Sequence, residues 1–314
     1  MVANSFVGPP LGSLLIAAAF ALPFFFDAGT FAVAAVVLLF ITGDYGVTRD
    51  PADLGKKVDW WGEIKEGVLW LWRHPLLRPM AIILGLQNML LMLGFSTIVL
   101  FAQEILKVSA LVFALIMAAA AVGGILGSLL APRISKAMGS GPSLAMTLLT
   151  GSVTALVIGL ASIWPVVWVM FAAGSFVGVV WNVITVSLRQ TIIPDRLLGR
   201  VNAVYRFFAW GLIPVGALLG GIVVSLTETA GGSRELALRM PWLVVAVVYL
   251  LVFFYAVPKL TTEKIEAARS AGMTGKEPSG DDHVDDIAAG APEAIAEAGI
   301  AGIPAPEELD EPES

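Results

Sequence analysis

Residues 189–221 read RQTIIPDRLLGRVNAVYRFFAWGLIPVGALLGG, and this stretch decides the fold. It leaves one long apolar run at Arg189, crosses a short loop carrying Arg196 and Arg200, and enters a second apolar run through Tyr205 and Arg206. Two hydrophobic segments joined by a cation-rich turn describe a membrane hairpin whose loop stays on the cytoplasmic side. The second run also contains Gly211, Pro214, Gly216, Gly220 and Gly221. Such content would weaken a soluble helix. In lipid, small residues let helices approach closely and neighbouring groups satisfy the freed backbone.

The composition agrees. Hydrophobic residues make up 57% of the 314-residue chain, charged residues 14%, and the mean hydropathy is +0.84, which places the chain among polytopic helical membrane proteins. With no cysteine there is no disulfide framework, thiolate metal site or cysteine nucleophile. Histidine is limited to His74 in a loop and His283 in the tail. The formal charge of −6 joins two unlike parts, because residues 261–314 hold 14 of the 25 acidic side chains and the rest of the chain is mildly basic.

Taking a span as about 20 apolar residues, the sequence predicts eight, near 5–23, 25–43, 79–101, 110–132, 142–162, 165–188, 203–226 and 241–258. Of the 19 Lys and Arg residues, only Lys107, Arg234 and Arg239 fall in loops on one side of this alternation. The positive-inside rule then places the others in the cytoplasm, with both termini, Gly55 and Gly275, and leaves Gly232 outside. The predicted location is the cell membrane, as a multi-pass protein.

The predicted parts are two helices in 1–45, a linker over 46–78, a six-helix unit over 79–260 and a disordered acidic tail over 261–314. Within the linker, Asp59 can cap a helix in which Trp61, Ile64, Val68 and Leu71 share one face, while Glu63, Lys65, Glu66 and Arg73 occupy others. His74-Pro75 ends it. This helix is expected at the membrane surface, with Trp60, Trp61, Trp70 and Trp72 at headgroup depth, or docked on the bundle as a connector. The tail is too poor in large apolar residues to offset its ordering entropy.

Pro10-Leu11-Gly12-Ser13-Leu14-Leu15 is similar to Pro214-Val215-Gly216-Ala217-Leu218-Leu219, six spans later, as two six-helix repeats would produce. Together with IIPDRLLGRV and IPVGALLGG, the fragment FVGPPLG resembles the major facilitator superfamily, in particular its efflux branch of macrolide and enterobactin exporters. Gly123-Gly124-Ile125-Leu126-Gly127, followed by Pro132-Arg133-Ile134-Ser135-Lys136-Ala137-Met138-Gly139, resembles the second copy of that superfamily's cytoplasmic Gly/Arg loop motif. Gly8-Pro9-Pro10-Leu11-Gly12 resembles the antiporter motif of its fifth helix. The resemblance covers about residues 1–260 and implies an all-α, polytopic helical bundle. It also implies conformational roles for these motifs and for Arg196, Gly199, Arg200, Pro214 and Gly216. The superfamily has twelve spans, and the eight here correspond to helices 5–12, so the sequence is expected to be an N-terminally truncated form.

Polar residues within spans are few, and each is costly in lipid. Gln87 and Asn88 lie in the third predicted span, Trp181, Asn182 and Thr185 in the sixth, and Trp210 in the seventh. Trp181 and Trp210 are each seven residues from the cytoplasmic end of their predicted spans, hence at similar depth. These six are the candidate substrate contacts, with inter-helix bonding or core packing as the alternative. Arg189 and Arg206, near the inner ends, are expected to hold loop carbonyls or lipid phosphate. No Asp, Glu, Lys or His lies near the centre of any span. Protons are a candidate coupling ion only through a carboxylate outside this sequence, so coupled transport by this chain alone is not expected. The expected function is efflux of amphipathic small molecules such as drugs, macrolides or siderophores by alternating access. A membrane scaffold or partner subunit is the alternative. The sequence lacks the paired acids, His-based metal site or Ser/His pair of an intramembrane hydrolase and implies no cofactor, metal or nucleic acid.

Overall fold

The computed structural model describes residues 21–40 and 60–273, together with Leu15 and Ala19, and for Asp195 the backbone only. The described residues form helices and connecting turns, with no strand among them. α1 is Leu22–Leu39, α2 Trp60–Arg73, α3 Leu77–Phe95, α4 Ala110–Met138 and α5 Ser140–Leu160. α6 is Trp164–Ile192, α7 Asp195–Gly211, α8 Ile213–Thr229, α9 Arg234–Ala256 and α10 Thr262–Met273. Counting α7 and α8 as one bent element, seven segments among the described residues are long and apolar enough to cross a membrane. The first predicted span and the motif at Gly8, Pro9, Pro10 and Gly12 lie outside the described residues, apart from the last residues of that span.

Small residues set the packing. α4 lies against α6 because Gly123 and Gly127, one turn apart, meet the backbone carbonyls of Ala172 and Phe176. α8 lies against α3 in the same manner, with Gly216 and Gly220 at the carbonyls of Met89 and Leu93. Without a hydrophobic drive between helices in lipid, such close approach supplies the dispersion contacts that hold them. α5 and α9 complete the bundle, and Ser152 donates to the Ala246 carbonyl across it at 2.7 Å. One buried cluster gathers Leu77, Met80, Leu144, Trp181, Leu188 and Tyr205, and a second gathers Leu90, Phe101, Ile116, Phe171 and Trp242. α1 buries none of its residues.

Three predicted boundaries change. The span placed at 203–226 is broken at Leu212, since Pro214 in the first turn of α8 cannot donate to the preceding turn. The span placed at 79–101 ends at Phe95, where Ser96 and Thr97 turn their hydroxyls onto the carbonyls of Leu93 and Gly94. A short segment follows, ending in a π turn over Phe101–Ile105. Residues 262–273, assigned by composition to the disordered tail, form α10, whose Ile265 and Ala268 are buried. The remainder of that tail lies outside the described residues.

α2 docks by a face that keeps Val68 and Leu71 of the predicted stripe but is turned toward its acidic edge. Trp60, Trp61 and Ile64 are exposed, while Gly67 and Leu71 are buried. Glu66 pairs with Arg196 at 2.6 Å and with Arg200, and Glu63 pairs with Arg200 at 2.9 Å. Two arginines four residues apart on α7 thus face two acids three apart on α2, and the acidic edge turns inward. Gly67 permits this: a Cβ there would stand 3.2 Å from the Arg200 backbone. The two arginines hold the Glu66 carboxyl below its usual range, Arg196 by its hydrogen bond above all.

Candidate functional site

A cavity of about 370 Å³ opens among α3, α5, α6 and α9. Its aromatic wall is a chain of edge-on rings, Phe95 on Phe171 with centroids 5.5 Å apart and Phe171 on Trp242 at 5.9 Å. The space exists because glycine occupies 174 and 178 on α6, where an added Cβ would meet nothing within 4 Å. On the other side Gly151 lets the Tyr249 ring lie against the α5 backbone, 2.9 Å from where a Cβ would be. Ser175 donates to the Ala120 carbonyl at 2.6 Å and fixes α6 on α4 at the rim.

Polar groups around this space are few. Thr154 donates to the Gly151 carbonyl of its own helix at 2.9 Å. Tyr249 lines the cavity with no hydrogen-bond partner for its hydroxyl among the described residues. No charged side chain lines it among the described residues. Such walls suit the apolar body of a ligand and offer few anchoring points. The described residues hold no group of acids and histidines able to bind a metal.

The six residues named from sequence do not converge on this cavity. Trp181 and Thr185 are buried in the core, 1% exposed each. The Asn88 amide donates to the Ala209 carbonyl at 2.7 Å, tying α3 to α7. Gln87 is half-buried, and its amide nitrogen has no partner among the described residues. Asn182 is exposed and donates within its own helix, to the Gly178 carbonyl at 3.0 Å. Trp210 is also exposed, beneath the guanidinium of Arg206 at 4.5 Å. Arg189 lies 4.0 Å over the Tyr205 ring. Asn182 and Trp210 therefore stand on the bundle surface, while Trp181, Thr185 and Asn88 serve its packing.

Among the motif residues, Gly123, Gly127 and Gly216 are close helix contacts, whereas Gly199 has open space around it. Arg196 and Arg200 bind α2, and Arg133 reaches back to the Leu129 carbonyl. Gly139 has φ +84 and joins α4 to α5. Lys136 stands beside it on an exposed face. At the opposite end of the bundle, Arg234 bridges Glu104 and Glu228 at 2.9 and 2.7 Å. Arg239 there caps the end of α5 through the carbonyls of Gly159 and Ala161. Of the three basic residues on the side predicted external, these two are thus held by contacts within the protein.

The sequence signal for the cavity lies in Gly174 and Gly178, spaced four apart in a span otherwise rich in Val. Trp242 and Tyr249, one on each side of the apolar run that begins at Leu243, carry no distinguishing mark.

The family model for the Major Facilitator Superfamily matches residues 2–214, well over half of the chain. The multidrug efflux pump Tap of Mycolicibacterium fortuitum is similar: 28% of 248 aligned residues are identical, covering 77% of this chain. The chain spans 58% of that relative's length. With an all-helical bundle, seven membrane-length segments and this match, the chain is a member of the major facilitator superfamily.

Proposed function

We propose that this chain serves the efflux of amphipathic small molecules across the cell membrane by alternating access, with its termini in the cytoplasm. The observation that carries this is the cavity itself, a space of about 370 Å³ walled by Phe95, Phe171, Trp242 and Tyr249 inside a membrane bundle. Its volume is at the lower end of ligand pockets and suits a compact, drug-sized compound. Because no charged side chain among the described residues lines it, an ion entering would lose hydration without a counter-charge from them. The favoured occupant is therefore uncharged, with an aromatic or alicyclic body and a polar group for the Tyr249 hydroxyl. The similarity to a pump named for multidrug efflux supports the same function.

Asn182 and Trp210 take a second place in this scheme. An amide exposed near the middle of α6 is costly against lipid, so the face carrying Asn182 is assigned to the wall of the translocation pathway. Trp210 is placed on the same wall. Gln87 is left to packing beside Asn88, and protons are retained as the coupling ion to be tested.

Equilibrium binding tests the proposal. The purified full chain in detergent is titrated with N-phenyl-1-naphthylamine, an uncharged fluorophore that brightens in apolar surroundings. Gly178→Leu enters the cavity from a Cβ position with nothing within 4 Å, so it should leave thermal unfolding close to unchanged and weaken binding at least about tenfold. Equal affinity in the two proteins would remove the cavity from the account.

A further inference from the structure

A second cavity, of about 580 Å³, lies at the ends of α4 and α6 that face α10, away from the aromatic one. Its polar wall combines Lys136, Arg269 and Glu266 with the hydroxyl residues Ser135, Ser140 and Ser187. The apolar wall is formed by Val183 and Ile184 of α6.

Two independent features point to an anionic occupant. Lys136 makes no ion pair among the described residues, so its charge is unbalanced there. Ser140 is only 4% exposed, yet its hydroxyl has no hydrogen-bond partner among them. Because Ser140 lines the cavity, this unpartnered hydroxyl is open to a ligand there. Ser140 is also the first residue of the 21-residue α5, whose amino-terminal dipole favours negative charge. Glu266 does not oppose this, because both its oxygens accept from Arg269, at 3.2 and 3.3 Å. That pair leaves the other guanidinium donors of Arg269 for an acceptor in the cavity.

We propose that this cavity binds a phosphate group, held by Lys136, Ser140 and Arg269, with Ser135 and Ser187 as further donors. A tetrahedral anion with several acceptor oxygens matches an ammonium, a guanidinium and converging hydroxyls better than a single carboxylate does. The phosphate belongs either to a phospholipid headgroup, whose chains would continue along Val183 and Ile184, or to a free phosphate ion.

The chain contains no cysteine, so Val183→Cys gives a unique site at the rim for an environment-sensitive fluorophore. The labelled full chain is held in dodecyl maltoside micelles, which carry no phosphate, and exposed to two probes, inorganic phosphate in solution and phosphatidylglycerol added to the micelles. One probe should change the emission, with half-saturation raised about tenfold by Lys136→Gln and by Ser140→Ala. Lys136→Arg should restore it. A response to phosphatidylglycerol alone assigns the site to a headgroup, and a response to inorganic phosphate assigns it to the soluble ion. No response to either probe, or the same half-saturation in Lys136→Gln with an unchanged unfolding midpoint, would overturn the proposal.

Discussion

Replacing Glu66 by Gln removes one charge and preserves shape, and its effect on α2 follows from the geometry. Glu66 accepts from Arg196 through one oxygen and from Arg200 through the other, and its side chain is 37% exposed. Exposed pairs contribute about 0.2–1 kcal/mol each, and two pairs sharing one carboxylate reach about 1–2 kcal/mol. The loss is local, because α2 buries only Gly67 and Leu71. Native-state hydrogen exchange should then show roughly tenfold faster opening of α2 in Glu66→Gln, with amides of α4 and α6 unaffected. The carboxyl is depressed below the usual 4.5 in the folded state. Its stabilisation is therefore fully present above that value and is lost as pH falls through the depressed one. After correction for intrinsic exchange, wild-type α2 should loosen over that acid window, and Glu66→Gln should show no such step. Salt should narrow the difference between the two proteins. Equal α2 protection in both proteins at neutral pH would refute the electrostatic account of docking.

Other outcomes follow from the same geometry. Gly123→Ala drives a methyl into the Ala172 carbonyl and should destabilise the bundle by about 1–3 kcal/mol, read as a lower unfolding midpoint. Gly124→Ala, where the nearest atom is 3.5 Å away, should be close to neutral. For topology, cysteines introduced singly at Thr229 and at Lys264 should react oppositely with an impermeant maleimide on intact cells, the first labelled and the second protected; labelling at Lys264 alone would reverse the orientation.

Much of the architecture was readable from residue type because lipid imposes simple demands. Long apolar runs gave all the later spans, and Gly216 and Gly220 signalled the close contacts they make. What escaped were features set by a partner distant in sequence. The face of α2 was assigned from its own apolar stripe, but Arg196 and Arg200, 130 residues or more away, turn its acidic edge inward. The importance given to Trp181 came from the cost of an indole in lipid. In the structure it is a core side chain, whereas Trp242, equally apolar in context, lines the cavity. Volume left between helices depends on which glycines line the gap, as Gly174 and Gly178 of α6 show, and a linear count of apolar residues does not register it.

The claim that an uncharged amphipath occupies the aromatic cavity is tested most directly by photolabelling. An uncharged amphipath bearing a diazirine is irradiated with the full chain in nanodiscs, and modified peptides are mapped by mass spectrometry. Labels competed by unmodified ligand should fall on Phe171, Trp242 or Tyr249, around the cavity. Competed labels confined to outward-facing residues such as Leu129 and Leu251 would contradict the account.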